Sequence, residues 1–168
     1  MSKPALVLAL LLVSCTMRGP DLAPGNRYAD FFRSTTTEQI RKFKNFGVDE
    51  QYSLFLYGNQ VMHPPALYLA RPFALNGLKA IPFLEAKLLA TKSELTIRDI
   101  SKLVLEIATL NQCDFPYDSD LVALLSKRAN AMGGIWKNVT LQTISDIKAQ
   151  ANSNGRAGGC GASPRRSN

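Results

Sequence analysis

Helical spacing of apolar residues between Tyr28 and about Ala151 is the feature that most constrains the fold. Apolar residues recur there three or four positions apart, and no run of four or more residues alternates as a strand would between turn signals. A period near 3.6 residues gives a helix one apolar face, whereas a strand needs a period of two. We therefore predict an all-α domain of about six or seven short helices, packed as a bundle or as stacked antiparallel pairs.

Residues with known helix-boundary preferences divide the first half of this stretch. Thr35 and Glu38 form a capping-box pattern at the start of one helix, and we expect Asp49 to cap the next. Pro72 lies inside an apolar segment and predicts a helix that is short or kinked. Pro82 suits the first turn of the helix that follows.

Rows of apolar residues at helical spacing predict three further helices in the second half. The first has an inward row of Ile97, Ile100, Leu103, Val104, Ile107 and Ala108 and an outward row of Arg98, Asp99, Lys102 and Glu106. The second is defined by Leu121, Val122, Leu124, Leu125, Ala129 and Met132. The last covers 135–150, with Trp136, Val139, Ile144 and Ile147 inward. Residues 111–120 are predicted to form the loop between the first two of them.

A second apolar run, from Ala5 to Val13, lies near the N-terminus behind Lys3. It spans roughly nine residues, which is too short for a membrane-spanning helix of about 20. Its length matches the apolar region of a secretory signal. A buried core helix is the alternative, but such a helix would have to be apolar on every face and to begin without a capping signal.

The residues Leu12-Val13-Ser14-Cys15 end this run and resemble the lipobox of bacterial lipoprotein precursors. The resemblance implies cleavage between Ser14 and Cys15, a diacylglycerol on the Cys15 sulfur and an acyl chain on the new amino group. Two or more chains hold a protein stably on a membrane, whereas one does so only marginally. Thr16 in place of aspartate after the cysteine would imply the outer membrane under enterobacteria-like sorting.

The chain is accordingly predicted to have four parts: a signal peptide over 1–14 that is removed, a lipidated flexible tether over 15–26, a helical domain over 27–151, and a disordered, basic tail rich in glycine and serine over 152–168.

Within the domain, residues 70–89 resemble a HEAT-type repeat, with an apolar first helix, an Asn-Gly turn and a second helix that opens with proline. That resemblance implies a protein-binding scaffold. No fixed repeat period recurs elsewhere.

The charge distribution argues against nucleic acid as a partner. The formal charge of the chain is +7, and removing residues 1–14 takes away Lys3 and leaves +6. Three of these charges lie in the tail as Arg156, Arg165 and Arg166, so the domain carries only a small excess without a basic stripe. Nucleic-acid binders concentrate basic charge on one face.

The sequence offers few residues for catalysis or metal binding. A closed zinc site needs about four cysteine or histidine ligands, whereas the chain has three cysteines and one histidine, without a CxxC pair. We therefore predict no metal, no cofactor and no catalytic residues. The alternative is an envelope enzyme whose site is assembled around His63 with Asp114 or Asp118; helix capping and loop solvation are the simpler roles for these aspartates and Asp120.

Two further expectations concern cysteines and aromatics. If Cys15 is lipidated, Cys113 and Cys160 remain and could form a disulfide in an oxidising compartment.

Aromatic residues are dense in the first third of the domain, and we expect them to pack in the core. Any that prove exposed would mark a binding patch, for which residues 52–71 are the first place to look. The set comprises Tyr28, Phe31, Phe32, Tyr52, Phe55 and Tyr57.

Together these features predict a lipid-anchored, non-catalytic protein of the bacterial cell membrane or outer membrane that faces the periplasm. Its partners would be the membrane, through Cys15, and another protein of unknown identity, as expected for a scaffold, an assembly factor or an immunity or exclusion factor. The alternatives are the envelope enzyme and a cytoplasmic helical module in which the N-terminal run is not cleaved and forms part of the core.

Overall fold

The computed structural model describes residues 27–157, with side chains over 28–151, and this part of the chain is all α-helical. The eight α-helices are α1 (Arg27–Phe32), α2 (Thr36–Phe43), α3 (Val48–Gln60), α4 (Ala70–Ala74), α5 (Ile81–Ala90), α6 (Glu94–Leu110), α7 (Asp120–Asn130) and α8 (Lys137–Ala157). Short 3₁₀ turns over Leu67–Leu69 and Gly77–Ala80 precede α4 and α5. The predicted all-α class is confirmed, with a helix count slightly above the expected six or seven.

The start of α2 follows the capping prediction in part. The Thr35 hydroxyl accepts a hydrogen bond from the Glu38 N–H at 3.3 Å, which satisfies one of the open N–H groups of the first turn. The Glu38 carboxylate does not return to the cap, because it pairs with Arg41 instead. The expected cap of α3 was wrong: Gly47 occupies the N-cap position, and Asp49 lies in the first turn, where it pairs with Lys87 of α5.

The segment between α3 and α6 is broken into short pieces by its proline and glycine residues. Pro72 lies in α4, which is only five residues long. Gly77 has a φ of +62°, a left-handed conformation that glycine adopts without steric cost, and it forms the predicted turn. Pro82 lies in the first turn of α5, as expected.

Helix α6 lies at the centre of the domain and contacts α3, α4, α5, α7 and α8. Its predicted inward row is confirmed, because Ile97, Ile100, Leu103, Val104, Ile107 and Ala108 are all buried. Burial of each large apolar side chain contributes roughly 1.5–3 kcal/mol, so this row is a main source of stability. Asp99 departs from the prediction: it was expected on the outer face but is 1 % exposed.

The last two helices show a second departure from the predicted pattern. Helix α7 buries Leu121, Val122, Leu125 and Ala129 as expected. Helix α8 begins at Lys137 and continues to Ala157, past the predicted end of the domain at 151. Ile144 and Ile147 point inward together with Thr140, but Val139 is 52 % exposed, because it lies on a different face of α8 from this buried row.

The carboxylate of Glu94 ties the start of α6 to the loop between α7 and α8. Its Oε1 accepts from the Gly133 N–H at 2.7 Å, and its Oε2 accepts from the Gly134 N–H at 3.1 Å. A second tie joins α7 to the end of α5, since the Arg128 guanidinium donates to the Leu88 and Leu89 carbonyls. These contacts fix the order in which α5, α6 and α7 pack.

The predicted signal peptide, tether and most of the tail lie outside the described residues. Within 27–157, no helix combines the length and the apolar character that crossing a membrane requires.

Candidate functional site

A shallow groove lies between α2 and the segment around α4. It has a volume of about 290 Å³ and is lined by Ile40, Lys44, Tyr68, Arg71, Pro72 and Leu75. A neighbouring depression of about 240 Å³ shares Lys44, Pro72 and Leu75 with it and adds Gln51 and Asn76. The two form one continuous surface, which we call the α2–α4 groove.

The apolar floor of the groove remains accessible to solvent. Leu75 is 63 % exposed and Tyr68 is 36 % exposed, while Pro72 is buried beneath them. Leu75 extends outward because α4 ends at Ala74 and the chain turns at Gly77. The short proline-containing helix therefore leaves a large apolar side chain uncovered beside Ile40 of α2.

The neutral polar groups of the groove are largely used within the domain. The Tyr68 hydroxyl donates to the Gln39 side-chain oxygen, and burial raises the pKa of Tyr68. Gln51 donates to the Phe43 and Phe46 carbonyls, and its own oxygen accepts from the Asn76 amide at 2.7 Å. These hydrogen bonds hold the walls in place and leave the two cations as the main groups available to a ligand.

Lys44 and Arg71 are both exposed at the rim of the groove. Neither has an ion pair among the described residues, and none of the residues that line the groove is an aspartate or a glutamate. The surface therefore combines an apolar floor with positive charge that the domain itself does not neutralise.

None of the six aromatic residues singled out in the sequence lines this groove, although the segment 52–71 contributes to one of its walls. Tyr28, Phe31, Tyr52 and Phe55 are buried in the core, as expected for packing residues. Within the segment 52–71, Leu67 and Tyr68 are exposed, and Tyr68 and Arg71 line the groove. The opposite wall, Ile40 and Lys44, was missed, because no local signal in α2 distinguishes a helix face that borders a groove from one that borders solvent.

A buried polar cluster lies on the other side of the domain, between α3 and α6. One Asp99 oxygen accepts from the Arg98 guanidinium at 2.7 Å, and the other accepts from the Gln60 amide at 2.8 Å. The guanidinium lies over the Trp136 ring, with 4.3 Å between the guanidinium carbon and the ring centroid. Burial raises the pKa of Asp99, while Arg98 and Gln60 oppose that shift. Because Asp99 is inaccessible, this cluster is a structural element of the core.

The structure does not bring together the residues of the alternative enzyme site. His63 is exposed and precedes a cis peptide bond to Pro64, and no hydrogen bond or ion pair joins it to a carboxylate among the described residues. Asp114 and Asp118 are also exposed, in the loop before α7. Within the described part of the chain, no three histidine, cysteine, aspartate or glutamate side chains converge as metal ligands.

Of the predicted modification sites, the structure describes only Cys113. This residue is exposed and disulfide-bonded. Ser14, Cys15 and Cys160 lie outside the described residues, so lipidation at Cys15 and the pairing of Cys113 with Cys160 stay predictions.

Comparisons with protein-family models, with curated proteins and with solved structures found no match for this chain. The function of the α2–α4 groove therefore has to follow from its own geometry and charge.

Proposed function

We propose that this chain is a lipid-anchored protein of the bacterial envelope whose helical domain binds another protein. The observation that carries the proposal is the sequence Leu12-Val13-Ser14-Cys15 at the end of a short apolar run behind a lysine. In this proposal Cys15 becomes the first residue of the mature chain, bears the acyl chains and holds the domain on the membrane or outer membrane, facing the periplasm.

The α2–α4 groove supports the binding half of the proposal. A protein that is fixed to a membrane has to act on its surroundings through an exposed surface. The groove offers exposed apolar area at Leu75 and Tyr68 together with the cations Lys44 and Arg71, which have no ion pair within the described domain. Exposed apolar area rimmed by polar residues is typical of protein-binding sites.

Intact-mass measurement on membrane and soluble fractions tests the anchor. We expect the full-length chain, produced in a bacterium, to appear in the membrane fraction with a mass that begins at Cys15 and includes the acyl chains. The substitution Cys15→Ser should abolish both processing and membrane association. Cys160→Ser is the matched control, because it removes another cysteine and should leave processing and the added acyl mass unchanged.

Two results would contradict the anchor. One is an unmodified chain that retains residues 1–14 in the soluble fraction, which would favour the cytoplasmic module. The other is a chain cleaved before Cys15 but without added acyl mass, which would indicate an ordinary secreted protein.

A further inference from the structure

We infer that the α2–α4 groove binds an acidic, apolar peptide segment of a partner protein. This inference deepens the proposed function, on which its biological setting rests, by naming the chemistry of the partner. The segment would place an apolar side chain against Ile40, Tyr68 and Leu75 and a carboxylate between Lys44 and Arg71.

The charge of the groove selects the acidic partner. Elsewhere on the surface some exposed cations pair with carboxylates, as Arg41 does with Glu38, whereas others, such as Lys127 and Lys148, have no ion pair within the described domain. Lys44 and Arg71 differ from these because both border one apolar depression whose lining contains no carboxylate. A carboxylate is the complementary group, and an arginine can hold it through two parallel hydrogen bonds.

The size and the lining of the groove select a peptide side chain. The two depressions of the groove, at about 290 and 240 Å³, each lie below the range of roughly 300–1,000 Å³ that small-molecule ligands fill. Its floor is apolar, and the Tyr68 hydroxyl and the Gln51 side chain already have hydrogen-bond partners. A leucine or phenylalanine side chain fits such a floor, whereas the polar headgroup of a membrane lipid would leave it unused.

The composition of the tail argues against its occupying the groove. Residues 152–168 contain Arg156, Arg165 and Arg166 and no acidic residue. This segment would be repelled by Lys44 and Arg71 rather than attracted. A separate chain that supplies carboxylates is therefore the occupant that the electrostatics favour.

Peptide binding to the full-length chain tests the inference. The probes are two sets of short fluorescein-labelled peptides that combine leucine and phenylalanine with either aspartate and glutamate or lysine and arginine. We expect fluorescence anisotropy at low salt to show saturable binding of acidic peptides only. Binding should weaken by about tenfold or more in the variant Lys44→Glu/Arg71→Glu, because charge complementarity becomes repulsion.

Matched substitutions separate the groove from general surface effects. Leu75→Ser removes the most exposed apolar residue of the groove and should weaken binding by about tenfold. Ile135→Ser removes an 83 % exposed residue elsewhere, and Lys127→Glu/Lys148→Glu reverses two exposed cations outside the groove. Both controls should bind as the parent does, and circular dichroism should show that all variants are folded.

Each other outcome would overturn the inference. These outcomes are binding of neither peptide set, equal binding of both, unchanged binding in the groove variants, competition by a peptide of residues 16–26, self-association through the groove, and displacement of the peptides by phosphatidylglycerol vesicles. The intact-mass measurement is independent. A lipidated chain that binds no acidic peptide refutes only the groove inference, and an unlipidated chain that binds them refutes only the anchor.

Discussion

Substitution of Asp99 should separate the cost of its buried charge from the value of its hydrogen bonds. Asp99→Ala removes the acceptors of both Arg98 and Gln60. The Gln60 amide would then keep only its long contact to the Thr96 hydroxyl oxygen, at 3.5 Å, and a buried donor so poorly satisfied costs about 1–3 kcal/mol. Arg98 is 17 % exposed and lies over Trp136, so part of its loss can be recovered from water. We therefore expect Asp99→Ala to lower the free energy of unfolding by roughly 2–4 kcal/mol.

Asp99→Asn should cost much less, because it removes the charge and keeps the shape. The new side-chain oxygen can still accept from Arg98. The new amide would face the Gln60 amide, but the Gln60 oxygen is buried without a hydrogen-bond partner, and rotation of that amide turns an acceptor toward the new donor. We expect the free energy of unfolding to stay within about 1 kcal/mol of the parent at pH 7.

The pH dependence gives the second readout. Burial raises the pKa of Asp99 above its ordinary value of 3.8, so the folded chain holds this proton more tightly than the unfolded chain does. The contribution of Asp99 to stability is therefore largest below 3.8 and is lost as the pH rises through the raised pKa. Asp99→Asn has no such proton, so its stability relative to the parent should increase over the same interval.

Urea denaturation followed by circular dichroism at several pH values measures both effects. Subtracting the two curves removes the contribution of the other carboxylates, which the proteins share. The reasoning would be refuted if Asp99→Asn were as destabilising as Asp99→Ala at pH 7, because the ion pair would then outweigh burial. A decrease, with rising pH, in the stability of Asp99→Asn relative to the parent would refute it as well.

Other substitutions probe the ties between helices, with thermal or urea denaturation as the measurement. Glu94→Gln and Gly134→Ala should each cost about 1 kcal/mol, and the double variant little more, because both disrupt the same hydrogen bonds; additive losses would contradict a shared contact. Gly58→Ala should cost about 1–3 kcal/mol, because a Cβ there would lie 2.6 Å from the Ala66 Cβ; unchanged stability would mean that the segment at Ala66 can move away from α3 without cost. Gly77→Ala should cost about 1 kcal/mol, because its φ is +62°; a stabilised variant would contradict the left-handed turn.

The helical class and most of the core could be predicted from the sequence because periodicity is a local property. The row from Ile97 to Ala108 repeats regularly enough to define one face of α6. The same reasoning placed Asp99 outside, since a charged residue on the polar side of a helix is ordinarily solvated. It failed because the partners that satisfy Asp99 include Gln60 of α3, and that contact depends on how two helices pack.

The predictions for Val139 and Asp49 failed because each assigned a residue to the wrong position on its helix. The buried row of α8 is Thr140, Ile144 and Ile147, and at 3.6 residues per turn Val139 lies on a different face from this row. Asp49 is a favourable capping residue, yet the N-cap of α3 is Gly47, two positions earlier, and Asp49 pairs with Lys87 instead. Capping preferences therefore predicted roughly where α3 begins, but not which residue occupies its N-cap position.

The α2–α4 groove depends partly on local sequence signals and partly on how the helices pack. Pro72 and Gly77 make α4 short, and these residues are visible in the sequence, so an uncovered apolar residue near Leu75 follows from local rules. The position of Lys44 opposite Arg71 does not follow, because it requires α2 to pack beside α4. The apolar floor is thus a consequence of how the chain breaks its helices, whereas the charge pattern arises only in the folded domain. Substitutions at Lys44 and Arg71 should consequently change partner binding without changing stability, since neither residue has an ion pair within the described domain to lose.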